Sequence, residues 1–198
     1  ADVQKNLADW LKNPMSLLFF KSIRRMQIGD KVMHWRRVSA GPVDNSEWMA
    51  LDGNADKPFL FVRSKTEAFP EEALEEIRQE RLLREDQEMD FPPASIEIVL
   101  GGEGRLFVVL PTEVRTALPF ACNAPFIQEP ARVRIKDPAT SPTNQWLLKR
   151  AGRLAADTML MWLKRTDLPV EERAKAYGLL SDVDREDGQG RHEQRQLP

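Results

Sequence analysis

Between Asn123 and Lys136 the chain reads NAPFIQEPARVRIK, and the polar side chains most able to do chemistry gather here. Arg132 leads them. A guanidinium stays ionised at any physiological pH and offers a planar fork of donors that suits phosphate. Asn123, Gln128, Arg134 and Lys136 are the other groups in the stretch able to approach an anion, and Glu129 is an acid placed to pair with Arg132. Pro111, Pro119, Pro125 and Pro130 each fix φ and remove a donor. That predicts a stiff loop, unable to be regular ladder or helix throughout, of the kind that positions side chains for function. By itself Arg132 reads more readily as a surface arginine beginning a turn, or as a partner for Glu129.

Other chemistries lack their parts. His34 falls in a predicted strand and His192 in a predicted tail, so neither activates the single thiol, Cys122, which reads as a buried cysteine. No His, Cys and carboxylate set has metal-ligand spacing, so no metal site is expected. Gly101-Gly102-Glu103-Gly104 could cradle a phosphate only if a helix began directly after it, and a strand follows. His34-Trp35-Arg36-Arg37 interleaves aromatic and basic groups as a nucleic-acid surface would, or as a strand with a basic polar face would.

The elements that must position these groups read as an α+β domain, an antiparallel or mixed sheet meander packed against helices, with C-terminal helices. Val3, Leu7, Trp10 and Leu11 predict a short amphipathic helix over 1–14, the end of a preceding domain or a linker. MSLLFF, from Met15, predicts one or two helical turns. Strands are predicted at Ile23–Ile28, Lys31–Val38, Trp48–Leu51 and Phe59–Ser64. Pro70 opens a helix to about Glu88 with a thin stripe of Leu74, Ile77 and Leu82, and with ion pairs Arg81–Glu85 and Arg84–Glu88. Ser95–Leu100 and Arg105–Leu110 predict a hairpin across the glycine cluster. A core helix runs from about Asn144 to Leu163, with Asn144, Thr143 or Ser141 as its cap. Its apolar face is Leu147, Leu148, Ala151, Leu154, Ala155, Thr158, Met161 and Trp162. The domain spans 15–165, a C-terminal helix 166–184 and a polar tail 185–198.

With 198 residues the chain can bury a sizeable core. A formal net charge of −2 supplies no overall attraction to polyanions. One cysteine excludes an internal disulfide and fits a reducing, cytoplasmic setting. No apolar run approaches the roughly 20 residues that cross a bilayer, so no membrane partner is expected. The opening Ala-Asp-Val-Gln-Lys is what an excised fragment would show.

The run LPTEVRTALPFACNAPFIQEPARVRI, followed by NQWLLKRAGRLAADTML, resembles a segment of sacsin and related proteins. There a leucine-proline, a Thr-Gly-Leu-Pro turn and an Asn-Gly/Ala-x-Phe element precede an arginine and a helix that begins near a Trp and Asn. More distantly the run is similar to the middle domain of the ninety-kilodalton heat-shock chaperones. The match covers about Leu106 to Trp162, and Ala124 stands where glycine is more common. The resemblance implies a middle, or transducer, domain of a GHKL-type ATPase, whose own nucleotide boxes are absent from this chain. It implies ATP and Mg in a preceding nucleotide-binding domain, none in this fragment, and admits a homodimer of the parent, a chaperone-like or bacterial defence protein. By position, Arg132 would be the catalytic arginine, with Asn123, Gln128, Arg134 and Lys136 in the loop approaching nucleotide. The alternative is a non-catalytic module that binds protein or nucleic acid.

Overall fold

Successive residues along the strands divide between two cores, and that division sets the architecture. The computed structural model describes residues 15–51, 57–82 and 90–180. One sheet contains β1 Arg25–Ile28, β2 Lys31–Ala40, β3 Ser46–Leu51, β4 Phe59–Arg63, β5 Glu97–Leu100, β6 Arg105–Val108, β7 Leu110–Arg115 and β8 Phe120–Asn123. The helices are α1 Ser16–Phe19, α2 Glu71–Glu80, α3 Pro142–Leu163 and α4 Val170–Ala174, the last running into a 3-10 turn at Lys175–Leu179. Leu60, Val62, Ile98, Phe120 and Cys122 face α3 and meet its Leu147, Ala151, Ala155 and Trp162. Phe61, Val99, Phe107 and Ala121 point the other way, onto Leu17, Leu18 and Phe19 of α1. Burying each such large apolar side chain is worth about 1.5–3 kcal/mol before chain entropy is charged against it. The fold is α+β, as the sequence predicts.

Strand order is β1-β2-β3-β4-β5-β8-β6-β7. All neighbours are antiparallel except β6 and β8, which pair in parallel with Leu106 opposite Cys122. This order corrects the predicted hairpin. β5 and β6 do not pair with each other, because β8 lies between them and bonds to both. A short glycine connection serves a tight hairpin and a one-strand crossover equally well, and two apolar arms accept any apolar neighbour. The glycines answer to the crossover. Gly101 has a φ of +100°, and a Cβ on Gly104 would collide with the carbonyl oxygens of Thr116 and Leu118 in the β7–β8 connection.

The proline-punctuated stretch is more regular than predicted, for it contains both β7 and β8. Pro111 sits within β7, the last strand of the sheet, where a missing donor costs no interior ladder bond. The acidic helix is shorter than its charge pattern suggests: α2 ends at Glu80, and Leu82, predicted on its apolar stripe, is 89% exposed with a φ of +52°. The predicted pairs with Glu85 and Glu88 lie outside the described residues. So do the N-terminal helix over 1–14 and the tail. Ser141 caps α3 by accepting a bond from the Asn144 amide, which puts Asn144 inside the helix rather than at its cap. Met161, predicted on the core face, is about half exposed. In place of a continuous final helix, four-residue bonding gives way to the 3-10 turn after Ala174. No helix among the described residues is long and apolar enough to cross a membrane.

Candidate functional site

Arg132 lies at the tip of a short hairpin that leaves the sheet after Phe126 and returns before α3. Ile127 pairs with Lys136 and Glu129 with Arg134 through backbone bonds of 2.8 and 3.0 Å, and Gln128 bridges to Ile135. The four residues between close as a turn in which the Arg132 amide donates to the Glu129 carbonyl at 2.8 Å. Arg132 itself adopts a φ of +56°, a left-handed conformation that costs a non-glycine residue about 1–2 kcal/mol. Its carbonyl accepts a bond from Gln128 Nε2 at 3.0 Å, which helps hold that backbone in place. The Val133 carbonyl next to it accepts from the Glu113 amide of β7 at 2.7 Å. The guanidinium is left in solvent, with no ion pair or hydrogen bond among the described residues.

The foot of this hairpin is fastened from below. Asn144, fully buried in the first turn of α3, accepts from the Ile127 amide through Oδ1 at 2.8 Å. Through Nδ2 it donates to the Ile127 carbonyl at 2.9 Å and the Lys136 carbonyl at 2.8 Å. One donor on one side and two carbonyls on the other fix the orientation of the amide. A single side chain thus bonds three backbone groups at the half-buried foot of the hairpin.

Glu76 of α2 completes the joint. Only 7% exposed, it accepts through Oε2 from Ser141 Oγ and the Thr143 amide, each at 2.9 Å. Its Oε1 lies 3.1 Å from Lys136 Nζ. A carboxylate at the first turn of α3 is also favoured by the helix dipole. Burial pushes the Glu76 carboxyl up, but the bonds from Thr143, Lys136 and Ser141 together hold it below its ordinary value of 4.5. A depressed folded value means that Glu76 stabilises the fold fully above about pH 4.5 and loses that contribution as pH falls through the folded pKa. Urea unfolding across this acid range should therefore show a stability gap between the native chain and Glu76→Gln that narrows as pH drops. Parallel profiles would show that the carboxylate does not contribute through its charge.

These anchors sort the groups that the sequence singled out. Asn123, Gln128 and Arg132 share one cleft of about 830 Å³, walled by Phe69, Phe91 and Phe126 among others. Of the three, only Arg132 presents an uncommitted polar head. Asn123 Nδ2 donates to Glu97 at 2.9 Å and its Oδ1 accepts from the Val109 amide at 2.7 Å, so it braces the β6–β7 turn. Gln128 shapes the tip. Arg134 and Lys136 lie on the same hairpin but do not line the cleft. The Lys136 ammonium is held by Glu80 at 2.9 Å and Glu76 at 3.1 Å, and both acids raise its pKa.

Glu97, Glu76 and Asn144 carry this geometry without having been read from the sequence as doing so. Glu97 had a signal: it is the one charged residue in the apolar run Ile96–Leu100, and a buried charge needs partners. It finds Arg63 Nε at 2.9 Å and Asn123. Glu76 had none, since acids surround α2 on every side. Cys122 is fully buried opposite Glu97's neighbour Ile98, and burial followed by the charge of Glu97 pushes its thiol up to about 12. It is thus protonated and a poor nucleophile at neutral pH. A thiol reagent should modify the native chain only as fast as the fold opens. Rapid labelling of the native state would overturn that assignment.

Among the described residues no group of three or more His, Cys, Asp or Glu side chains is arranged to hold a metal ion. No family model, no curated protein and no solved structure matches the chain.

Proposed function

We propose that this chain acts as the middle, transducer domain of a GHKL-type ATPase and that Arg132 reaches the phosphates of a nucleotide held by a preceding nucleotide-binding domain. The observation that carries the reading is the contrast at the hairpin. Its foot is fixed by Asn144, Glu76 and Lys136, its tip is set in a strained turn, and the guanidinium at that tip is exposed and uncommitted. A residue meant only to solubilise a turn has no need of such a mount.

Arg132 suits phosphate, and in this reading any Mg that accompanies the nucleotide is held by the preceding domain. ATP, when bound there, supplies the phosphoryl group. This chain would orient its fork of donors toward the developing charge and, being on a separate domain, would do so only when the two domains close. Hydrolysis would then be tied to a conformational change carried by α3 and the sheet behind it.

The test uses the protein in which this domain follows its nucleotide-binding domain. Steady-state ATP turnover is compared between the native form and Arg132→Ala. Equal turnover would remove Arg132 from the reaction and with it the reason for assigning the transducer role.

A further inference from the structure

At the far end of the sheet from the hairpin, β1 and β2 form a ribbon that outruns its neighbours. Among the described residues β1 pairs with Lys31–His34 of β2, whereas β3 meets β2 along Trp35–Ala40. The two stretches do not overlap. Among the described residues the segment from Arg25 to His34 is two-stranded, closed by the two-residue turn Gly29-Asp30, with Gly29 at a φ of +58°. One face carries Met26, Ile28, Met33 and Trp35 toward the core beneath α1. The other presents Arg25, Gln27, Val32, His34 and Arg36 to solvent.

The charge of this ribbon is opposite to that of the chain. Between Lys21 and Arg37 there are six lysines and arginines and one acid, in a protein whose formal net charge is −2. The Arg24 guanidinium is stacked 5.5 Å from the Trp35 ring centroid, and Arg37 pairs with Glu47 at 3.2 Å. Arg25, Lys31 and Arg36 have no ion pair among the described residues. A basic edge can simply deter strand-to-strand aggregation. A protruding two-stranded ribbon, however, is a shape that the B-form major groove, about 12 Å wide, admits. The A-form RNA major groove is too deep and narrow to admit it.

We propose that the β1–β2 ribbon is a docking surface for duplex DNA, entering the major groove and neutralising backbone phosphates with Arg25 and Arg36 of its solvent face and with Lys31, exposed beside the turn on the opposite face. The inference does not depend on the ATPase reading. Binding of this kind is sequence-independent, with dissociation constants of about 10⁻⁴ to 10⁻⁶ M at physiological salt. Three phosphate contacts give a slope near −2.7 for log affinity against log salt, at about −0.9 per contact.

The experiment is fluorescence anisotropy of the full chain with a labelled mixed-sequence DNA duplex, across a salt series. The double variant Arg25→Gln/Arg36→Gln should weaken binding by at least about tenfold and flatten the slope by about 2. The exposed pair Lys149→Gln/Arg153→Gln on α3 makes the same change of charge elsewhere and should leave the slope intact. Thermal unfolding of both doubles at the native temperature secures the comparison. Duplex RNA should bind at least about tenfold more weakly than DNA, as groove shape requires. The proposal is overturned if DNA does not bind or if the α3 pair weakens binding as much as the ribbon pair. Equal affinity for duplex RNA would overturn it too, as would binding confined to anionic phosphatidylserine vesicles.

Discussion

Arg132→Ala is expected to lower ATP turnover of the two-domain protein by at least about 10³-fold, close to 4 kcal/mol of transition-state stabilisation. The size follows from what an arginine does in phosphoryl transfer: it meets charge that develops on the transferring group, so its effect falls on kcat more than on KM. Arg132→Lys should recover part of the loss, because it restores a positive charge without the planar fork. Arg134→Ala is the informative neighbour. Its side chain is exposed two residues away and does not line the cleft, so its removal should leave turnover within about twofold of native. If Arg134→Ala is as damaging as Arg132→Ala, the effect belongs to local charge and the tip geometry is irrelevant.

Asn144→Ala should be the most destabilising single truncation at the joint, costing about 3–5 kcal/mol in urea unfolding. It strips the partner from the Ile127 amide and a donor from the carbonyls of Ile127 and Lys136 together, leaving the Ile127 carbonyl only its bond from the Lys136 amide. The aspartate variant separates packing from bonding. Asn144→Asp has nearly the same shape, yet at neutral pH it turns a carboxylate oxygen toward two carbonyls where an amide donor stood. It should be at least as destabilised as the alanine form at pH 7 and should gain on it under acid, when the protonated carboxyl can donate one bond. A mild effect of both substitutions would mean that the hairpin is held by its own ladder bonds and that α3 does not mount it. Since the same hairpin carries Arg132, a loosened foot should also reduce turnover, and the reduction should exceed the loss of folded protein.

Much of the framework was legible from local pattern, and the failures share one cause. Continuous apolar runs marked β4, β5 and β6, and a wide apolar stripe marked α3, because burial on one or two faces leaves a periodic trace. Arg132, Asn123 and Gln128 could be proposed together because they are close in sequence and the resemblance placed them in one loop. Which strand lies beside which leaves no such trace. β8 between β5 and β6 depends on residues about twenty positions apart in the chain, and nothing in IEIVL or LFVV records that neighbour. Glu76 is the same case within the site. Its partners Lys136, Ser141 and Thr143 are more than fifty positions away, so its role exists only once α2 and α3 meet.

The place of β8 governs how the chain must assemble. β1 to β5 form a consecutive meander, and β6 with β7 is a hairpin, so each half can zip up as it is made. Among the described strands, only Phe120–Asn123 joins them by ladder bonds. A nascent chain that has emerged only as far as Leu118 therefore holds two part-sheets, each with a bare edge of unpaired amides and carbonyls. The last strand has to slide into a gap whose walls came earlier, and the loop-closure entropy of that insertion is met before its two ladders can form. Slow closure with both edges exposed is the condition under which strands pair with the wrong chain. The sheet is vulnerable to misassembly until those four residues lock its halves together.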